Sequence, residues 1–325
     1  MLSSACCSLK IVLLRLPLSS HQSSESFSPW SAWPTSYVSL HHVANSIQVN
    51  ILVEALSKEV IEIVDRIKRR NDENENIRSE PPADLDELVA EEGREVLASK
   101  RGYIQFVHDL ALCKFADEHS LIIRAEKTIG DYVTVSSKLF SIYGATEEFD
   151  PGQLDHYVVI GKERSSQNDI EFGILKLTEV ALKAISPSIN DPNTAIFCIM
   201  QMGMLLSRIA SADLENTYYY NDEEQLTLIF EDVSFKELLY KTFYQLRYYS
   251  SHEISVAGSI LDSLNVIAEG NDLETRELVW DFSGYIIDGF DQGVLQEMDK
   301  KFLNKKIGKL ALVTGNKVKK DRLFQ

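Results

Sequence analysis

A chain of 325 residues carrying a net charge of −16 is not built for general nucleic-acid binding, which needs a basic surface to neutralise phosphates. With 44% hydrophobic residues it can bury sizeable cores, and its length suits two domains. Its four cysteines, Cys6, Cys7, Cys113 and Cys198, contain no C-x-x-C and make no disulfide scaffold, so a reducing compartment fits.

Residues 1–38 are Ser-rich with a single acid, Glu25. Their apolar run, Leu9 to Leu18, is broken by Arg15 and Pro17 and falls short of the roughly 20 residues a membrane span takes. It also lacks the form of a signal peptide, so this stretch reads as a disordered or misassigned leader. Residues 39–70 read as one long helix. Val49, Leu52, Leu56, Val60, Ile63 and Ile67 recur at steps of three and four, a seam of nearly heptad spacing. Such a seam serves either a helix packed on its own domain or a stalk pairing with copies of itself. The second reading makes a homo-oligomer through residues 43–70 the expected assembly. Residues 71–83, with Asn71 to Asn76 wholly polar and Pro81-Pro82 after them, read as a linker.

Residues 84–162 read as a small β-rich domain. Val96 to Ala98 and Tyr103 to Val107 flank Ser99-Lys100-Arg101-Gly102, which suggests a hairpin. A short helix, Leu110 to Glu118, follows. Strands are then expected at Leu121–Ala125, Gly130–Val135, Leu139–Ile142 and His156–Ile160. Gly130-Asp131-Tyr132-Val133, with apolar Leu139 six positions on, resembles the turn of biotinyl- and lipoyl-type barrel-sandwich domains. The Asp-Lys-Ala triplet that presents a lipoylated lysine is absent, so the module is read as structural and no cofactor is expected.

Residues 163–307 read as a mainly α-helical bundle. Ile174, Leu177, Ala181 and Ile185 form an apolar stripe that ends at Pro187, which cannot continue a helix. Asp191-Pro192 starts the next helix, with a capping carboxylate and a proline suited to the first position. Ala195 to Ile209 is apolar on nearly every side and reads as a buried core helix. Thr217–Tyr220 and Leu226–Phe230 read as a hairpin around Asn221 to Glu224. Ser234 to Glu237 and Ser250 to Glu253 both match the capping-box pattern at helix starts. Val256, Ile260, Leu264 and Ile267 lie on the helix that ends at Gly270. Two further patterns hold Leu278, Trp280, Phe282, Tyr285 and Ile286, then Val294, Met298, Phe302 and Ile307. Residues 308–325 read as a basic tail. The fold class expected is α+β, a barrel-sandwich-like module followed by a helical bundle and preceded by a long helix.

The corner Ser186–Thr194 is one candidate ligand site. The free N–H groups after Asp191 and the hydroxyls of Ser188 and Thr194, with Asn190 beside them, suit an anion, although Asp191 competes for the same donors. Arg164 and Asp169 lie where the two domains meet and suit an interdomain ion pair. His108, Cys113 and His119 have neither zinc-knuckle nor i, i+4 spacing, so no metal is expected, and no catalytic motif assigns a catalytic residue.

Gly161 to Ser165, Ile170-Glu171-Phe172-Gly173 and the Ala181–Ala195 block, with its S-P-x-I-N-D-P-x-T-A run, carry a resemblance. Arg101 to Gln105 and His41 to Gln48 fit it too. The chain resembles, over about residues 38–305, the uncharacterised bacterial predicted-membrane-protein family, domain of unknown function 2254. Ser188 stands where that family often has Gly. The resemblance implies membrane location, with several spans ahead of the His41 region and a soluble remainder on the cytoplasmic side. It carries over no activity. Two functions are therefore expected in parallel. One is the soluble assembly or regulatory part of a channel- or transporter-like membrane complex. The other is an enzyme whose site lies at the junction of the β and helical domains.

Overall fold

The computed structural model describes residues 32–325 except 91, 145–149, 232, 291–292, 319–323 and 325. The leader expected over residues 1–31 lies outside them. A long helix, α1 (Ala32–Glu73), comes first. From Ser46 onward the chain makes one compact unit. Within it α1 buries Val53, Val60, Ile63 and Val64, while Ile51 and Leu52 remain 61% and 51% exposed. The expected seam packs inward on the chain's own body. Val49, Leu56 and Val60 lie against the helical core and Ile63 is buried, while Leu52 faces outward and Val53 takes the inward place.

The stretch expected as a linker contains a short strand, β1 (Ile77–Arg78), with Ile77 buried. A single helical turn, α2 (Leu85–Leu88), follows. Then come β2 (Arg94–Leu97), β3 (Gly102–Val107), α3 (Asp109–Glu118), β4 (Ile122–Ala125), β5 (Tyr132–Val133) and β6 (Lys138–Tyr143). A 3-10 helix, Pro151–Tyr157, leads into β7 (Val158–Gly161). The hairpin expected between β2 and β3 does not form. β2 pairs with β6, whereas β3 lies between β5 and β7 in a separate three-stranded sheet. Gly102 enters β3 at φ +151°, in the region that favours glycine, and a Cβ there would run into the Gly161 carbonyl. That residue turns the chain from one sheet to the other, where a hairpin turn would have kept it in the first.

The rest is helical, with one insertion. Helices α4 (Ile170–Ala184) and α5 (Pro192–Ala210) flank the proline corner. The expected hairpin is present as β8 (Asn216–Tyr220) and β9 (Leu226–Glu231). Then follow α6 (Phe235–Tyr249), α7 (Ile254–Glu269), α8 (Leu273–Ile287) and α9 (Glu297–Thr314). The hairpin does not stay with the helices that bracket it. β9 pairs parallel with β4, giving a six-stranded mixed sheet in the order β1-β8-β9-β4-β6-β2. Tyr219 and Leu228 join Ile123, Phe140, Ile142 and the α3 residues Leu112 and Phe115 in the sheet core. The second core is helical. It holds Ile174, Leu177 and Ala181 of α4, Cys198 and Met202 of α5, and nearly the whole length of α7, with Val53, Val60 and Val64 of α1 packed in. The molecule is therefore α+β.

Two helix boundaries depart from the sequence reading. Ser250 closes α6 instead of opening α7. Its hydroxyl finds no partner, and α7 begins after Glu253 without a side-chain cap. α9 runs on to Thr314 and buries Leu303, Ile307, Leu310 and Ala311, while Val294 and Met298 of the expected stripe are exposed. Phe324 is buried too, and Asn304 hydrogen-bonds its backbone N–H and C=O.

Candidate functional site

The sequence-derived candidates separate into two groups at opposite ends of α4. Fifteen helical residues at about 1.5 Å each hold them roughly 20 Å apart. At the N-terminal end, Asp169 caps α4 by accepting the Phe172 N–H at 2.8 Å, and it is buried. Arg164 grips the same carboxylate through two nitrogens, Nε to Oδ2 at 2.5 Å and Nη2 to Oδ1 at 3.0 Å. It also lies over the Phe172 ring and 3.7 Å from Glu171, which in turn meets Lys241. Burial works against the Arg164 charge, but the hydrogen bond and the field of Asp169, and then Glu171, outweigh it and raise the pKa. Gly130, at φ +96°, closes over this pair so tightly that any Cβ would collide with both partners. The Asp131 carboxylate accepts the Thr128 N–H and holds the Gly130 turn in place.

At the C-terminal end, Asp191 accepts the Thr194 N–H at 3.2 Å and the Thr194 hydroxyl at 2.7 Å. It therefore uses the very donors an anion would need. Asn190 sits at φ +48°, and its N–H reaches back to the Ser186 carbonyl. Ser188 is exposed, with its hydroxyl 3.2 Å from that of Ser186. The corner is thus closed by its own backbone: the Asp191 N–H bonds the Ala184 carbonyl, which ties the end of α4 to the start of α5.

A different set of residues lines a cleft between the sheet and the helical core. It encloses about 450 Å³. Arg66 and Arg70 reach it from α1, Asp109 from α3, Tyr219 from β8 and Asn168 from the loop before α4. Ile67, Ile129, Ile170, Leu214, Phe106 and Phe230 supply its apolar wall. Arg70 donates to Asp109 and, at 3.1 Å, to the Tyr219 hydroxyl, which itself donates to Asp109 at 2.6 Å. Burial, followed by the Asp109 charge, pushes the Tyr219 hydroxyl well above the ordinary phenol range, so it stays a neutral donor. Arg66 donates to the Asn168 side chain at 3.0 Å. Among the described residues no carboxylate lies within ion-pair distance of Arg66. Sequence reasoning placed a possible site at this junction but missed these residues. Arg66 and Arg70 fall inside the expected long helix, and Tyr219 inside an expected strand, and the sequence reading assigns none of them to a site. The i, i+4 spacing of the two arginines was the available signal.

Cys113 and His119 make ordinary structural contacts. The Cys113 thiol meets the Thr227 hydroxyl at 2.9 Å, and His119 Nδ1 meets the Phe115 carbonyl at 2.9 Å. Among the described residues no group of three or more His, Cys, Asp or Glu is arranged to hold a metal ion.

Residues 38–266 match the model of a family described as "Predicted membrane protein (DUF2254)". The chain is 28% identical over 236 residues to an uncharacterized protein of Mycobacterium tuberculosis and 29% identical over 238 residues to one of Mycobacterium bovis. Each alignment covers 71% of this chain and 44% of the relative, so the chain spans less than half the length of the relatives it matches. No solved structure matches it.

Proposed function

Since the chain belongs to this family of predicted membrane proteins, we propose that its described body is the extramembrane, cytoplasmic-side part of such a protein. It would serve assembly or regulation of a channel- or transporter-like complex. One observation carries the reading. Among the described residues only α5 is long and apolar enough to cross a bilayer, and half of it is buried in the helical core. Its Cys198, Met202, Leu205 and Leu206 pack inside the chain, so moving α5 into lipid would dismantle the bundle. Assembly would use the outward side of α1 at Ile51 and Leu52, two neighbouring exposed apolar side chains on a helix. The test is to express the chain, wash the membrane fraction with alkaline carbonate and measure the mass of the released protein by light scattering. Release as a multimer is expected. Retention in the carbonate-washed membrane would sink the extramembrane reading, and a monomer at high micromolar concentration would sink the assembly reading.

The second reading is an enzyme at the junction. It is favoured by the cleft that brings Arg70, Asp109 and Tyr219 into one hydrogen-bonded group beside an apolar wall.

A further inference from the structure

We propose that the junction cleft binds a small organic anion, with a phosphate or carboxylate head on Arg66 and an apolar body on the Ile129–Phe230 wall. The first argument is charge. The chain is strongly acidic at −16, yet this cleft is lined by two arginines and a single carboxylate, Asp109. The adjoining cleft shares Ile67, Ile129, Asn168, Ile170 and Leu214 with it but carries Asp213, Glu215 and Glu274 and no basic residue. A ligand anion is thus directed to one end.

The second argument is where the uncommitted charge sits. Arg70 is fixed by Asp109, Tyr219 and the Asn71 side chain, which take its charge and most of its donors, so it anchors the wall and leaves Arg66 to receive the oxyanion. Arg66 stands one helical turn away on α1, and among the described residues its hydrogen-bond partner is the neutral Asn168 side chain. Asp109 already neutralises Arg70, so the surplus positive charge of the cleft sits on Arg66. The third argument is size and surface. A volume of about 450 Å³ lies within the range of small-molecule sites, and Phe106, 37% exposed at the rim, is apolar surface a ligand body would cover. This inference stands apart from the membrane reading, since the same head group and tail occur in a soluble amphiphile and in a lipid.

The test uses the full chain and octyl phosphate as the probe, followed by isothermal titration calorimetry. Saturable binding is expected, while octanol and inorganic phosphate, the two halves of the probe, each bind at least about tenfold more weakly. Arg66→Ala should weaken octyl phosphate binding by about tenfold or more, Arg66→Glu should abolish it, and Arg66→Lys should fall between wild type and Arg66→Ala. Arg66 is exposed, so these variants keep the wild-type circular-dichroism spectrum. Sedimentation with phosphatidylcholine vesicles containing phosphatidic acid distinguishes the two sources. Arg66-dependent pelleting assigns the site to a lipid head group, and binding of the monomeric probe alone assigns it to a soluble anion. The proposal is overturned if octyl phosphate does not saturate, if octanol binds as tightly, or if Arg66→Ala and Arg66→Glu bind like wild type.

Discussion

Asp169 and Asp191 occupy the same formal position, the N-cap of consecutive helices, yet replacing them should cost very different amounts. Asp191→Ala removes one cap from a half-exposed corner, worth about 1 kcal/mol. Asp169→Ala removes the same kind of cap and also strands Arg164. Asp169 is 3% exposed and the Arg164 side chain only 20%, so the guanidinium loses its bidentate partner in a site water hardly reaches. Breaking a buried pair this way costs about 3–5 kcal/mol in general. Glu171, 3.7 Å from Arg164, takes up part of the charge and sets the expectation at the lower end. The total for Asp169→Ala is then about 3–4 kcal/mol, roughly three times that of Asp191→Ala. At about 2 °C per kcal/mol for a body of this size, thermal melts should fall by about 6–8 °C and about 2 °C respectively. Asp169→Ser with Arg164→Met keeps a cap and removes both charges, and should melt above Asp169→Ala alone. Equal melting losses for the two alanine variants, or a double variant no better than Asp169→Ala, would refute the argument that the stranded charge dominates.

Other consequences follow from single groups. Ile51→Glu with Leu52→Glu should leave the melt unchanged while reducing any multimer seen by light scattering, because both side chains are exposed; Val60→Glu should unfold the helical core, because that side chain is 1% exposed and packs within it. The Asp272 carboxyl caps α8, and the Thr275 N–H, then its hydroxyl, hold its pKa below the ordinary 3.8. A depressed folded pKa gives stability that is present above 3.8 and lost as pH falls through the folded value, so the melting gap between wild type and Asp272→Ala should close in acid. Burial pushes the Cys198 thiol up to about 12, so in the native protein iodoacetamide at pH 8 should leave the Cys198 peptide unmodified, as read by mass spectrometry, until denaturant is added.

The helical half was legible because its signals are local. The 3.6-residue stripe of Ile174, Leu177 and Ala181, the break at Pro187, and the restart at Asp191-Pro192 each act within a turn or two of chain, and all three are present in the structure. The Ser234 cap worked for the same reason. Ser250 failed because the identical pattern can be spent by the preceding helix, whose last turn claimed it. The α1 seam departs only at Leu52, because steps of three and four define a stripe on a helix but not its exact edge, and Val53 takes the inward place. Strand partners were the least legible. β2 and β3 are close in sequence with turn residues between them, and only the conformation of Gly102 and the competing edge of β6 send them to different sheets.

The pairing of β9 with β4 has the largest functional consequence. It is a parallel contact between Ile123–Arg124 and Leu228–Ile229, about a hundred residues apart, and no local pattern announces it. Parallel partners need a long crossover, and here the connection from β4 to β9 runs through β5 to β7 and then α4 and α5, so it carries the first two helices of the helical core across before the chain returns to the sheet. Tyr219 then arrives beside Asp109, and α1 crosses the same seam to bring Arg70 to both. Segments that are separate in sequence thus meet in one cleft, at the boundary between the two cores. The Arg164–Asp169 pair, which the sequence reading takes as an ion pair at that boundary, holds the start of α4 in register against the Gly130 turn. Its rigidity fixes Asn168 and Ile170 on either side of Asp169, and both line the cleft. The ion pair is therefore a positioning element for the neighbouring cleft, and disturbing it should alter ligand binding there through the placement of Asn168, the Arg66 partner.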